Sequence, residues 1–199
     1  MPFVGPSMSS ALVGALAGKG FTGSRLRDFA DAASIGSQSS IVGKTFTTQD
    51  IGTVPGVGTG VGTGLSIPPS LVSNTMLASA TSKGFKGSRL PDVCQAFAQA
   101  LVSEASKISL SSNHSPVFQG TGTVVPSSIP VNESEWGGNI NSQGVSRQFV
   151  GQRWSDLAQA MAKGGVAGFG VSQGSVTITG SPTSSTTSPG TGSGSGVIS

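Results

Sequence analysis

The sequence of 199 residues contains one stretch three times at a constant spacing. The copies are KGFTGSRLRDFADA at 19–32, KGFKGSRLPDVCQA at 83–96 and RQFVGQRWSDLAQA at 147–160, each 64 residues after the one before. A unit of this size is close to the limit at which a lone core is stable, so neighbouring units are expected to share apolar surface. The spacing predicts three tandem repeats at 1–66, 67–130 and 131–181, and an extended tail at 182–199.

Each repeat opens with two helical segments. In the first repeat Leu12, Ala15 and Leu16 follow helical spacing, and Gly20 is a natural helix stop. The equivalent stretch of the third repeat, NINSQGVSRQF, is the poorest copy, and we expect that helix to be frayed or replaced by a loop. The second helix carries the clearest apolar stripe of the chain, formed in the second repeat by Leu90, Val93, Cys94, Phe97 and Leu101.

The hinge between the helices holds residue types that recur in every repeat. A Phe is expected to anchor the two helices, and a Gly to adopt a backbone conformation closed to other residues. Ser24 and Ser88 are the candidate N-caps of the second helix. An Arg and an Asp three apart lie side by side on a helix, and we interpret them as surface or interhelix bridges, with a threefold binding feature as the alternative. The recurrent positions are Phe21, Phe85, Phe149, Gly23, Gly87, Gly151, Arg25, Arg89, Arg153, Asp28, Asp92 and Asp156.

Each repeat ends in sequence rich in Gly, Thr and Val, such as GSVTITGSP at 174–182, where branched residues alternate with small or polar ones. The predicted class is therefore α+β, with a helical hairpin followed by a Gly/Thr-rich strand or arm in each repeat. From Ser181 onward the chain has no charge and almost no apolar residue. Such a segment does not order itself, so we expect a neighbouring subunit to hold it.

Charge is scarce, with 11 basic and 8 acidic residues, against roughly a quarter of positions in an average domain. A surface with so few charges suits a chain packed against other subunits. The charges look scattered along the sequence and form no basic run, which predicts no nucleic-acid partner. No apolar stretch is long enough for a membrane span, which predicts no membrane partner. The apolar N-terminal stretch lacks a basic n-region and is expected to be mature structure.

Motifs for chemistry are incomplete. VGKT at 42–45 is similar to the end of a phosphate-binding loop, but Gln38 stands where that motif needs Gly. His114 is the only histidine and has no nucleophile elbow beside it. One His, one Cys and no close acidic cluster predict no metal site. Cys94 falls on the apolar stripe and is expected to be a small core residue. We predict a protein that is not an enzyme, with no catalytic residue, cofactor or metal.

The succession of a helix, KGFTGS, a second helix and FTTQDIGTVPGVGTGVGTG resembles small structural proteins of tailed-bacteriophage virions, and VTITGSP fits the same company. The likeness lies in the general character of the sequence and not in a diagnostic motif. It extends over most of the chain and implies no active site. It implies a place on the virion, in the head, neck, tail or baseplate, where Gly/Thr-rich arms lace one subunit to the next. The implied partners are other virion proteins and copies of the chain itself.

The resulting hypothesis is a non-enzymatic structural component of a phage particle, as capsid decoration, neck, tail or baseplate, that acts through subunit packing and extended arms. Repeats arranged around an axis would give it near-threefold symmetry, which a linear row would exclude. The alternative is a ligand-binding or host-surface recognition module that uses predicted loops at 113–118 and 133–138. Trp136 and Trp154 are expected to be packing residues, with Trp136 alternatively an exposed contact.

Overall fold

Six helices form three antiparallel hairpins, one in each predicted repeat. The computed structural model describes residues 3–42, 66–107 and 132–169 with their side chains, and the backbone alone of six extended segments. The boundaries between repeats stay a prediction. The helices are α1 (Gly5–Gly18), α2 (Leu26–Ile41), α3 (Pro69–Ser82), α4 (Leu90–Ala105), α5 (Glu133–Val145) and α6 (Gln152–Phe169).

The helices are arranged in a ring. Each packs on the next along the chain, and α6 packs on α1 and closes the circle. Smaller contacts join α2 to α4 and α4 to α6, so the second helices of the hairpins lie nearer the centre. These second helices also carry more buried residues than the first ones. The three hairpins therefore surround an axis and do not form the linear row that would exclude near-threefold symmetry.

The α+β class predicted from the sequence is wrong for the part of the molecule that is described with its side chains. Residues 3–42, 66–107 and 132–169 contain six helices and no strand or sheet, so the domain that they build is all-helical. Every described core residue lies on one of these helices or, as for Phe3 and Ile67, just before one. The helices bury their apolar stripes against one another, so their hydrophobic faces are removed from water within the ring.

The extended segments are described only by the pairing of their backbones. Each pairs antiparallel with the next, and the last pairs with the first, for example Ile51 opposite Thr191. The tail residues 189–197 thus pair with the chain itself, whereas a neighbouring subunit was expected to hold them. Residues 181–188, like 43–44 of VGKT and 115–118 of the first predicted loop, lie outside the described residues. The segments are β1 (Thr45–Thr53), β2 (Gly58–Gly62), β3 (Ser109–His114), β4 (Gln119–Ser128), β5 (Gly174–Thr179) and β6 (Pro189–Val197).

A chain of four buried aromatic rings links the last repeat to its two neighbours. The ring centroids of Phe3 and Phe169 lie 5.4 Å apart, and the next two steps, to Trp136 and then to Phe97, measure 5.9 and 6.1 Å. All four side chains are buried. The packing role predicted for Trp136 is confirmed, and the alternative of an exposed contact is wrong.

The prediction that the first helix of the third repeat is frayed or absent is also wrong, since α5 is formed. The Asn132 side chain caps its N-terminus by accepting a hydrogen bond from the Ser134 amide at 2.9 Å. Trp136 and Ile140 are fully buried on its inner face. Helices in proteins are stabilised mainly by the packing of their apolar face, and these two residues outweigh the poor helix propensity of NINSQG.

Three glycines of α6 mark where its neighbours approach most closely. A Cβ built on Gly164 would lie 2.7 Å from the Leu12 Cβ, and one on Gly168 would lie 2.9 Å from the Met8 Cβ, both on α1. A Cβ on Gly165 would overlap the indole of Trp136 on α5. The side-chain hydrogen at these positions allows α6 to contact both neighbours and to close the ring.

We expect Gly165→Ala to lower the free energy of unfolding by about 1–3 kcal/mol, the usual effect of overpacking a filled core. Gly138→Ala on α5 is the matched control, because a Cβ there meets nothing within 4 Å. That change should be neutral or stabilise by up to about 1 kcal/mol, since Ala favours helix. Urea unfolding followed by circular dichroism measures both. Equal stability of the two variants would contradict the close approach of α6 to Trp136.

Candidate functional site

The three hinges share one backbone geometry. The residue directly before each recurrent Phe, three positions before the predicted glycine, has a positive φ, of 74° at Gly20, 81° at Gly84 and 63° at Gln148. The Phe that follows donates its amide hydrogen to the carbonyl five residues earlier, at 3.0–3.1 Å. This is the bond that ends many helices after a left-handed residue. It fixes the position of the Phe ring relative to the first helix of each hairpin.

The glycine two residues after the Phe also behaves as predicted. Gly23, Gly87 and Gly151 have φ values of 134°, 152° and 94°, a region that favours glycine. The predicted N-caps are wrong, because α2 and α4 begin after Arg25 and Arg89, with no side-chain cap. In each hinge the glycine carbonyl accepts a hydrogen bond from an amide in the first turn of the next helix, that of Leu26, Leu90 or Trp154, at 3.1–3.3 Å. A turn therefore starts each second helix in place of a Ser cap.

The recurrent Arg of each repeat lies on the recurrent Phe of another repeat, and the order is cyclic. The guanidinium carbon of Arg25 is 5.6 Å from the centre of the Phe85 ring, and that of Arg89 is 4.5 Å from Phe149. The third contact returns to the first repeat, with Arg153 at 5.0 Å from Phe21. These are favourable cation–π distances. We call the three pairs the Arg–Phe clamp: Arg25 with Phe85, Arg89 with Phe149 and Arg153 with Phe21.

The same three Arg side chains cap the helices that they reach. Arg25 and Arg153 each donate to a backbone carbonyl, of Lys83 and Lys19 respectively, at 3.1 Å. Arg89 donates to the carbonyl of Arg147. These carbonyls lie at the C-terminal ends of α3, α1 and α5, where a positive charge interacts favourably with the helix dipole. Each Arg thus joins two repeats through its stacking and its hydrogen bond together.

The recurrent Asp residues differ in how they pair. Asp156 is 3.6 Å from the Lys19 ammonium, and Asp28 is 3.6 Å from that of Lys83, so both bridge between repeats. Only Asp92 pairs with the Arg of its own repeat, Arg89, at 3.4 Å. The interpretation of the three Arg/Asp pairs as surface or interhelix bridges, like the alternative of a threefold binding feature, stays a prediction, because among the described side chains only Arg89 and Asp92 form a direct ion pair. In the other two pairs, Arg25/Asp28 and Arg153/Asp156, both side chains contact a different repeat, which the spacing in the sequence could not show.

The hinges gather most of the positive charge of the chain, although these residues form no cluster along the sequence. The segments 19–27, 83–89 and 147–153 hold eight of the 11 basic residues and no acidic one. Since the clamp ties each hinge to the next, the three segments lie at one end of the ring. The 64-residue period was the available signal, because basic residues recur at 19, 83 and 147 and again at 25, 89 and 153. We call this end the hinge face.

A groove of about 620 Å³ lies along the outside of α5 and α6 in the third repeat. Its lining is polar or small and includes Glu133, Gly137, Gly138, Asn141 and Gln159. A second groove of about 290 Å³ shares Glu133 and Gln159 and extends to Gly14 and Gly18 of α1. Residues 133–138, predicted as a recognition loop, are helical and face this groove in part. No aromatic ring is among the lining residues.

A buried carboxylate distinguishes the contact between α4 and α5. Glu104 is fully buried, and its Oε1 accepts hydrogen bonds from Asn139 at 2.7 Å and from Lys107 at 3.0 Å. Lys107 also contacts Glu135, and these acidic partners, Glu135 foremost, raise the pKa of its ammonium. The equivalent positions of Glu104 in the other repeats are Ser40 and Gly168. The network therefore belongs to a single interface of the ring.

Two further sequence predictions concern packing, and both are confirmed. Cys94 is fully buried and unpaired, and burial raises the pKa of its thiol to about 11. At neutral pH that thiol is protonated and a poor nucleophile. Trp154 stacks on Phe149 with ring centroids 4.6 Å apart, and its indole donates to the Asn141 carbonyl at 3.1 Å.

Other chemical candidates find little support in the part of the chain that is described. No three His, Cys, Asp or Glu side chains there are grouped as they would be around a metal ion. His114 ends β3, for which the backbone alone is described. None of the described helices combines the length and apolar character of a membrane span.

Comparison of the chain with protein-family models, with curated proteins and with solved structures found no match.

We expect Arg153→Ala to lower the free energy of unfolding by about 1–2 kcal/mol, because it removes a cation–π contact and a charged hydrogen bond. Amide hydrogen exchange should quicken in α1 and α6, which Arg153 joins. Arg27→Ala, on an exposed side chain of the first hinge, is the control and should change stability by less than about 0.5 kcal/mol. Arg153→Lys should recover only part of the loss, since an ammonium lacks the planar stacking surface. Equal effects of Arg153→Ala and Arg27→Ala would contradict the clamp.

We expect Gln148→Gly to raise the free energy of unfolding by about 1 kcal/mol, because the left-handed conformation costs other residues roughly 1–2 kcal/mol. The reciprocal change, Gly20→Ala, places a side chain in the same conformation at the equivalent position of the first hinge. It should destabilise the chain by a similar amount. Thermal unfolding by calorimetry compares the two, and a loss of stability in Gln148→Gly would contradict the shared hinge geometry.

Proposed function

We propose that this chain is a non-enzymatic structural component of a bacteriophage particle. The observation that carries the proposal is the cyclic Arg–Phe clamp, by which one chain builds the near-threefold arrangement that assemblies usually make from three subunits. The contact of Arg153 with Phe21 joins the last repeat to the first. A chain of this kind presents three similar faces to a partner from a single polypeptide.

Three further features support a role in assembly. Charged residues make up only 10% of the chain, which suits a surface covered by other subunits. The described residues bring together no nucleophile, base and acid, and the one free thiol is buried. The texture of the sequence resembles tailed-phage virion proteins, which favours a place in the capsid decoration, neck, tail or baseplate. The partners are then other virion proteins, with no nucleic acid or membrane bound.

The closed ring changes one expectation about self-association. The apolar faces of α1 and α6 are occupied by each other, and Met8, Leu12 and Leu16 of α1 are all buried. A second copy of the chain finds no open repeat end on which to continue the ring. We therefore propose that the chain is a monomer until it meets a partner, and that its particle contacts involve other proteins first.

The second candidate is a ligand-binding or host-surface recognition module, and the groove along α5 and α6 is the observation that favours it. The groove lies in the third repeat, where Gly137 and Gly138 stand in place of Ser73 and Asn74 of the second. Hydrogen-bonding groups such as Asn141 and Gln159 line it. A small polar ligand is the kind of molecule that such a lining accepts.

The test is quantitative mass spectrometry of purified particles of the phage whose genome encodes the chain, together with light scattering of the isolated chain. We expect a fixed copy number per particle and a solution mass near 19.6 kDa for the free chain. Absence from the particles would overturn the structural role. Absence combined with binding of the isolated chain to host cells, lost on Gly138→Trp in the groove, would favour the second candidate.

A further inference from the structure

The hinge face concentrates positive charge that is dispersed along the sequence. Its segments 19–27, 83–89 and 147–153 contribute eight positive charges, and the nearby acidic residues number four: Asp28, Asp31, Asp92 and Asp156. The formal charge of this end is therefore +4, while the whole chain carries +3. The remainder of the molecule is close to neutral, so the charge is segregated to one end of the ring.

Five of these cations have no acidic partner among the described side chains: the clamp residues Arg25 and Arg153, and Arg27, Lys86 and Arg147. The ion pairs of the face use Lys19, Lys83 and Arg89. Arg147 bonds only to neutral groups, such as the Gln99 side chain at 3.0 Å. Arg27 and Lys86 are exposed, and neither forms a salt bridge with any of the side chains that the structure describes. An unpaired charge on an exposed side chain interacts with an incoming ligand at little desolvation cost.

The arrangement of the charges follows the repeats. Lys19, Lys83 and Arg147 occupy one set of equivalent positions around the ring, and the clamp arginines occupy another. The clamp holds the three hinges in a fixed relation, so the charges are presented in a preorganised pattern with near-threefold symmetry. Preorganisation reduces the entropy lost on binding and so raises affinity.

We propose that the hinge face binds an acidic protein surface with threefold symmetry, such as the end of a homotrimer. This inference rests on the proposed structural role and names the partner of that role by its chemistry. Each subunit of the trimer places carboxylates against one hinge, and the three contacts form together. A single exposed ion pair contributes little on its own, whereas three linked contacts add through their high effective concentration.

The other polyanions fit the face less well. Single-stranded nucleic acid is bound by exposed aromatic rings, and the hinge rings Phe21, Phe85 and Phe149 are covered by the clamp arginines. An anionic membrane favours apolar side chains beside the basic ones. The third hinge has such a residue, Val150, but Thr22 and Lys86 occupy its equivalent positions.

The experiment uses the full chain and a synthetic probe. The probe is a parallel three-stranded coiled coil whose strands each end in a short Glu-rich segment, and its reference is that segment as a single peptide. Fluorescence anisotropy measures the affinity of both. We expect the trimeric probe to bind at least tenfold more tightly than the peptide, and its affinity to fall as salt rises.

Charge-reversal variants locate the binding. Arg27→Glu and Lys86→Glu should each weaken binding of the trimeric probe severalfold, while Lys163→Glu, an equal change on α6 outside the hinges, should leave it unchanged. Neither Arg27 nor Lys86 belongs to the clamp, and circular dichroism verifies the fold of each variant. Equal affinity for trimer and peptide, or equal effects of the three variants, would overturn the proposal. Tighter binding of duplex DNA or of phosphatidylserine vesicles would assign the face to those ligands and also overturn it.

The two proposals fail in different ways. If the chain is found in particles but the trimeric probe does not bind, the structural role stands and the hinge face is not its contact. If the probe binds as expected but particles lack the chain, the face has the proposed specificity and the assignment to a phage particle is wrong.

Discussion

The contact between the last helix and the first is the constraint on which the rest of this structure depends. Each repeat supplies only two helices and has an apolar face on both sides. In an open row, Leu12 and Leu16 of α1 would be exposed to water, and Arg153 would lack Phe21. In the ring these α1 residues are fully buried and Arg153 finds its partner. Closure therefore converts three marginal units into one domain, which is the usual reason for repeats to stack.

Closure also requires the repeats to meet in one order, and the three interfaces differ enough to specify it. The α4–α5 contact contains the buried Glu104 with Lys107 and Asn139. In the α6–α1 contact, the glycines of α6 admit Leu12 and Met8 of α1. The α2–α3 contact places Gly36 against Met76. A buried polar group is costly without its partners, so Glu104 opposes any arrangement that separates α4 from α5.

The sequence predicted the parts of this fold that depend on a residue and its near neighbours. The period located the three hairpins, and the hinge glycines have the positive φ values that their recurrence indicated. The failures concern contacts made across the chain. Arg153 bonds to Lys19, 134 positions away, and a periodic pattern shows which residues are equivalent without showing which of them touch. The formation of α5 depends on the burial of Trp136, which no local propensity records. The α+β class was inferred from Gly/Thr-rich alternation, whereas the domain formed by residues 3–42, 66–107 and 132–169 is built by helices alone.

The same limitation explains why the hinge face was overlooked, and it bears on how a chain with so few charges recognises a partner. Along the sequence, the eight basic residues fall into three groups that are separated by long stretches of chain and form no cluster. Folding brings them together because the clamp holds the three hinges side by side at one end of the ring. The clamp arginines then have two roles, since they close the ring and also add to the charge of the face. Because each hinge offers only two or three cations, a partner with a single acidic segment gains little from it. A partner that contacts all three hinges gains from their fixed geometry, so near-threefold symmetry is itself the source of selectivity.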